Sequence, residues 1–96
     1  MQGDMHHRIA EVQRMAAELT AEAVSPDGAV RVVAGPAGEV KQIDLRLSAF
    51  ELSGVELGEV TAAAVKTATS AADRELAARV RGLMSDVFEA EREANR

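Results

Sequence analysis

The apolar residues of this chain change period twice. Met5, Ile9, Val12, Ala16 and Leu19 step by four, three, four and three, while Arg8, Glu11, Arg14 and Glu18 fall off that line. A stripe of this kind marks an amphipathic helix, here over residues 4–20 with Asp4 as its N-cap. From Val30 onward the spacing drops mainly to two, through Val32 and Ala34 and then Val40, Ile43, Leu45 and Leu47. That is the period of a half-buried strand. Helical steps return with Leu57, Val60, Ala64, Ala68 and Ala72, and the same stripe continues in larger residues at Leu76, Val80, Leu83 and Val87. The pattern predicts an α+β fold in the order α-β-β-β-α: an N-terminal helix, a three-stranded antiparallel β-meander over residues 21–25, 29–34 and 39–47, and a long C-terminal helix over 54–92.

Turn chemistry supports the meander. Ser25-Pro26-Asp27-Gly28 places Pro where a type I turn presets φ and Gly where the chain must leave the turn. Gly35-Pro36-Ala37-Gly38 repeats the device. A three-residue loop with Pro36 and Ala37 in a type I turn and Gly38 left-handed would pair Ala34 with Val40. Residues 40 and 43 differ in parity, so that register alone would send Ile43 to the face opposite Val32. One bulge near Lys41-Gln42 restores Val32 opposite Ile43 and Val30 opposite Leu45. Lys41 and Arg31 then lie at the bulge or on the outer face as solubilising charges.

The second helix is where the sequence calls for a partner. Ser53-Gly54-Val55-Glu56 has capping-box spacing, and a helix from there beyond Glu89 would be about 50 Å long at 1.5 Å per residue. A 96-residue chain forms one domain, over residues 1–96, and cannot cover that length by itself. A second copy in a two-fold arrangement, intertwined or side by side, is the economical solution, with Leu76, Val80, Leu83 and Val87 and the strand residues Val30, Val32 and Ile43 at the interface. The alternative is a break at Gly82, which costs about 1 kcal/mol in a helix interior, with the tail folding back.

Three short segments carry a family resemblance: Gly28-Ala29-Val30-Arg31-Val32, then Gly38-Glu39-Val40-Lys41-Gln42-Ile43-Asp44, and later Ala64-Val65-Lys66-Thr67-Ala68. Together with the element order they resemble the YbaB/EbfC family of bacterial nucleoid-associated proteins, over residues 5–76. Two positions depart from the family's pattern, Leu45 where members often carry Pro and Lys66-Thr67 in place of a polar pair. The resemblance implies a cytoplasmic, nucleoid-associated homodimer that binds duplex DNA.

Composition narrows the functions. Phe50 and Phe88 are the sole aromatics, so the stacking platforms of most single-strand binders are lacking. Zero cysteines remove disulfides and thiolate chemistry, and no apolar run approaches the length of a membrane span. His6 and His7 are adjacent and diverge by about 100° on a helix, so they cannot grip one metal together. Asp44 lies beside Arg46 with no second acid, base or nucleophile placed near it, and the GPAG segment lacks the Lys-Ser/Thr pair of a phosphate loop. Neither an enzyme nor a cofactor protein is indicated.

Charge separates the two remaining classes, a DNA-binding dimer and an acidic protein-interaction module on the same scaffold. The net charge is −5, and residues 1–24 carry two bases and four acids, 25–54 three and four, and 55–96 six and eight. No segment is basic, so phosphate contacts would be few. Arg74 and Arg81, seven residues apart and opposite the Leu76/Val80/Leu83 stripe, are the foremost candidates, with Lys66 beside them. Arg79 has Glu75 at i−4 and Arg92 has Glu89 at i−3, so a pairing within the helix competes for each.

Overall fold

The computed structural model describes the backbone of residues 2–94 and the side chains of residues 6–86. Helix α1 (Gln2–Glu18) leads into β1 (Ala21–Val24), β2 (Val30–Ala34) and β3 (Val40–Leu45), then a 3-10 turn (Leu47–Glu51) and helix α2 (Gly54–Ala94). The strands form one antiparallel sheet in the order β1-β2-β3, so the expected α-β-β-β-α meander is the architecture observed. Helix α1 starts ahead of Asp4, which is therefore not its cap; the side chains of Asp4 and Met5 lie outside the described residues. The 3-10 turn replaces the end of the strand expected to reach residue 47.

Local hydrogen bonds explain the first turn. The Gly28 N–H donates to the Ser25 carbonyl at 2.8 Å, and Gly28 takes φ +77, a region open to glycine at no steric cost. Ser25 is buried, yet its hydroxyl donates to Asp27 Oδ1 at 2.7 Å and accepts the Val30 N–H at 3.0 Å. Both groups are thereby satisfied inside the fold, as a buried polar group requires.

The second turn departs from expectation. Ala37 has φ +61 and Gly38 φ +77, so Pro36-Ala37 is not a type I turn, in which both central residues have negative φ. An alanine held left-handed costs about 1–2 kcal/mol. A long-range contact offsets that cost, because the Ala37 N–H donates to Asp73 Oδ1 on α2 at 2.8 Å. The turn is thus shaped from the helix as well as by its own residues.

Register follows the parity argument. Ala34 pairs with Val40, Val32 with Ile43 and Val30 with Leu45, with the irregularity between Val33 and Ala34 that leaves Lys41 as the extra residue. The bulge also gives Lys41 a structural role. Its Nζ donates to the Ala17 carbonyl at 2.9 Å, satisfying an orphan acceptor in the last turn of α1 and placing a cation at the negative end of that helix.

Helix α2 packs over β1 and β2. Val30 and Val32 are fully buried, and Ala23, Ala29 and Ala34 join Ala64 and Ala68 of the helix in one core, with Leu57, Val60 and Val65 at its margin. Small helix residues let the backbone approach the sheet closely. Each fully buried valine contributes about 1.5–3 kcal/mol relative to exposure. A helix is about 10 Å across and strands lie about 4.8 Å apart, so a single helix covers two strands. The third is left bare: Ile43 stays 44 % exposed and Leu45 41 %, although both share the pleat face of Val32 and Val30.

The start of α2 is capped as its sequence indicates. The Glu56 N–H donates to Ser53 Oγ at 3.1 Å and the Ser53 N–H to Glu56 Oε1 at 3.3 Å, the reciprocal pair of a capping box. From Gly54 the helix runs unbroken through Gly82 to Ala94, which removes the folded-back alternative. Its length draws the molecule out to 65 × 21 × 16 Å with a radius of gyration of 18.7 Å, against about 12–13 Å for a compact chain of this size. Lys41 on Ala17 and Asp73 on Ala37 anchor α1 and α2 at the same end of the sheet.

Candidate nucleic-acid interface

On the solvent side of α2, Lys66, Arg74 and Arg81 are exposed. None has a carboxylate three or four residues away on the helix: positions 62, 63, 69 and 70 about Lys66, 70, 71, 77 and 78 about Arg74, and 77, 78, 84 and 85 about Arg81 are all Ala, Thr, Ser or Met. Helix geometry sets Arg74 and Arg81 about 20° apart in azimuth and about 10.5 Å apart along the axis, with Lys66 about 12 Å before Arg74 and about 80° round. Exposed Ser70 and Ser85 share this side and add hydroxyl donors. Two neighbouring acids are otherwise engaged. Asp73 accepts the Ala37 N–H, and Glu75 holds Arg79 at 3.2 Å in the i,i+4 pair expected from the sequence. Arg79 therefore stands apart from the other three cations. Arg92 and Glu89 lie outside the residues whose side chains are described.

The outer face of the sheet holds a charge cluster where the sequence pattern predicts only solubilising charges. Arg31 on the central strand donates from Nε to Glu22 Oε1 at 2.7 Å and from Nη1 to Asp44 Oδ2 at 2.8 Å, joining all three strands. Gln42 Nε2 supports Asp44 at 2.9 Å. The Arg31 hydrogen bond holds the Glu22 carboxyl below its usual range, and Gln42 and then Arg31 do the same for Asp44. The Glu22 and Asp44 bonds in turn raise the arginine. This guanidinium is committed to two carboxylates and is not available to a phosphate. The pairing of Val30 with Leu45 and Val32 with Ile43 already implies Arg31 opposite Asp44, so register is the signal that could have revealed the cluster.

A pH dependence follows. Carboxylates whose folded pKa is depressed stabilise the fold above their ordinary range, and that contribution disappears as pH falls through the depressed values. Acidification should therefore lower the melting temperature of the native chain more than that of Arg31→Gln, in which Glu22 and Asp44 lose their shared partner. Equal losses from about pH 6 to about pH 3 in both proteins would show the cluster to be energetically silent.

The expected interface residues separate into groups. Val30 and Val32 belong to the protomer's own core, because α2 already covers their face, and they are not free to meet a second copy. Ile43 is open to solvent on the uncovered strand. Leu76, Val80 and Leu83 are half-buried along α2, while the side chain of Val87 lies outside the described residues.

A helix-flanked three-stranded meander, extended by a long helix whose solvent side carries cations without an acid three or four residues away, defines a small α+β scaffold. The sequence model of the YbaB/EbfC DNA-binding family matches residues 1–87. The chain belongs to that family. Comparison with curated proteins returns no match. Among the described residues, no helix is long and apolar enough to cross a membrane.

Proposed function

We propose that this protein is a nucleoid-associated, non-enzymatic homodimer that binds duplex DNA weakly and with little sequence choice in the bacterial cytoplasm. The observation that carries the reading is the exposed side of α2 presenting Lys66, Arg74 and Arg81, none of which has an acid three or four residues away to pair with it. Few cations, on a chain of net charge −5, account for the weakness, because phosphate neutralisation supplies most non-specific affinity. Contacts to phosphates carry no direct sequence information. Arg79 takes a lesser part, since Glu75 competes for it.

The homodimer rests on the bare face of β3. Val40, Ile43 and Leu45 present apolar surface, and Leu47 and Phe50 in the 3-10 turn that follows are exposed at 87 % and 68 %. Exposed apolar surface favours association, and a two-fold axis through it would double the number of cations on one particle.

Salt dependence tests the DNA reading. Log affinity for duplex should fall with log salt at a shallow slope, about −0.9 for each phosphate neutralised. Arg74→Ala and Arg81→Ala should each flatten it, and Arg79→Ala should change it least. No detectable binding at about 50 mM salt, with the protein folded and of stable mass, overturns the reading.

A further inference from the structure

The side of the sheet away from β3 carries a separate feature. Strand β1 is outermost, pairing with β2 alone. The Ser25 N–H donates to the Val30 carbonyl at 2.8 Å, so that pair is of the hydrogen-bonded kind. Alternation along an antiparallel ladder then turns the main chain of Ala23 toward β2 and that of Glu22 and Val24 away from it. Among the described residues, no turn, loop or side-chain hydrogen bond reaches the N–H and C=O groups of Glu22 and Val24. They form a short open edge.

Natural edges are blunted by lysine, proline, bulges or covering elements. The β1 sequence Ala21-Glu22-Ala23-Val24 contains neither lysine nor proline, and its one charge is drawn off to Arg31 on the outer face. The β3 edge, by contrast, carries the Lys41 bulge. Beside β1 runs an open groove of about 440 Å³, with Ala23, Val24 and Pro26 on the strand side and Val60, Ala63 and Ala64 on the helix side. Its one ionisable lining residue is Glu59.

We propose that this groove receives an extended peptide segment with apolar residues at alternate positions and one lysine or arginine, added to β1 as a fourth strand. The inference is independent of DNA binding. Outward main-chain groups two residues apart are matched by another strand, which meets them at about 4.8 Å, and not by a helix. Alternate side chains of that strand face α2, where the alanine floor leaves room for branched apolar groups. A cation at the next position on the same face meets Glu59. The charge of the groove selects a basic segment over an acidic one.

Two capped peptides test this, Ac-Lys-Thr-Val-Thr-Val-Thr-amide and its counterpart with Glu in place of Lys, titrated into the isotope-labelled full chain. The lysine peptide should shift the Glu22 and Val24 amide resonances and slow their hydrogen exchange at least about tenfold, and the glutamate peptide should bind about tenfold more weakly. Glu59→Lys should reverse that preference. Val24→Pro removes an outward N–H that β2 does not use, so it should abolish peptide binding while the remaining spectrum stays folded. Should that variant not fold, the charge swap at Glu59 still decides. Three outcomes overturn the proposal: no response at Glu22 and Val24 up to about 1 mM peptide, an unchanged preference in Glu59→Lys, or amides at these two positions already protected in the free protein because a second copy closes the edge.

Discussion

Val32→Asp should abolish the folded state. The residue is fully buried under α2, and a carboxylate placed there has no partner among Ala23, Val30, Ala64 and Ala68. Burying an unpaired charge costs several kcal/mol, which is comparable with the whole stability of a domain this size, on the order of 5–14 kcal/mol. Far-UV circular dichroism should show loss of helix along with strand, since α2 has its core-facing residues seated on this part of the sheet. Val32→Ala, which keeps the site apolar, should cost only about 1.5–3 kcal/mol and still fold. A native spectrum and melting temperature for the aspartate variant would mean that α2 does not seat on β2.

Paired replacement of Ile43 and Leu45 by Asp should have the opposite character. Ile43 lies directly opposite Val32 on the same pleat face, yet it keeps close to half of its surface in water. A carboxylate there remains hydrated, so the protomer should stay folded, with its circular dichroism preserved and a modest fall in melting temperature. What should change is the mass in solution, from twice the 10.2 kDa of the chain to that of one chain. Affinity for duplex should drop with it, because a monomer presents half the cations. Retention of the doubled mass would place the second copy elsewhere, with the half-buried Leu76, Val80 and Leu83 as the remaining apolar surface.

These two neighbours mark the boundary of what could be anticipated. The two-residue period placed Val30, Val32, Ile43 and Leu45 on one face, and the parity of residues 40 and 43 demanded the bulge that the register contains. Such signals are local: a turn with Pro and Gly, a change of period and a Ser-x-x-Glu box each act within a few residues. For the same reason the capping box at Ser53 and the Glu75–Arg79 pair were legible, as contacts between helix neighbours. The lack of an acid three or four positions from Lys66, Arg74 and Arg81 is likewise a property of the chain alone.

Contacts between residues far apart were not legible. Ala37 adopts a left-handed conformation against its own preference because Asp73, thirty-six positions along the chain, accepts its N–H. Lys41 could be placed at a bulge but not on the end of α1, and Arg31 could be put on the outer face without its two carboxylates being recognised. The groove beside β1 is likewise made by two segments some forty residues apart.

By itself the sequence determined the order of elements, the cap of α2, the positions of the turns and the pairing of the strands, since each depends on neighbours or on a simple period. Only the tertiary structure decided which apolar residues become core and which stay open. One helix about 10 Å wide cannot cover three strands spaced about 4.8 Å apart. The path of α2 over β1 and β2 thus buries Val30 and Val32 and leaves Ile43 and Leu45 exposed.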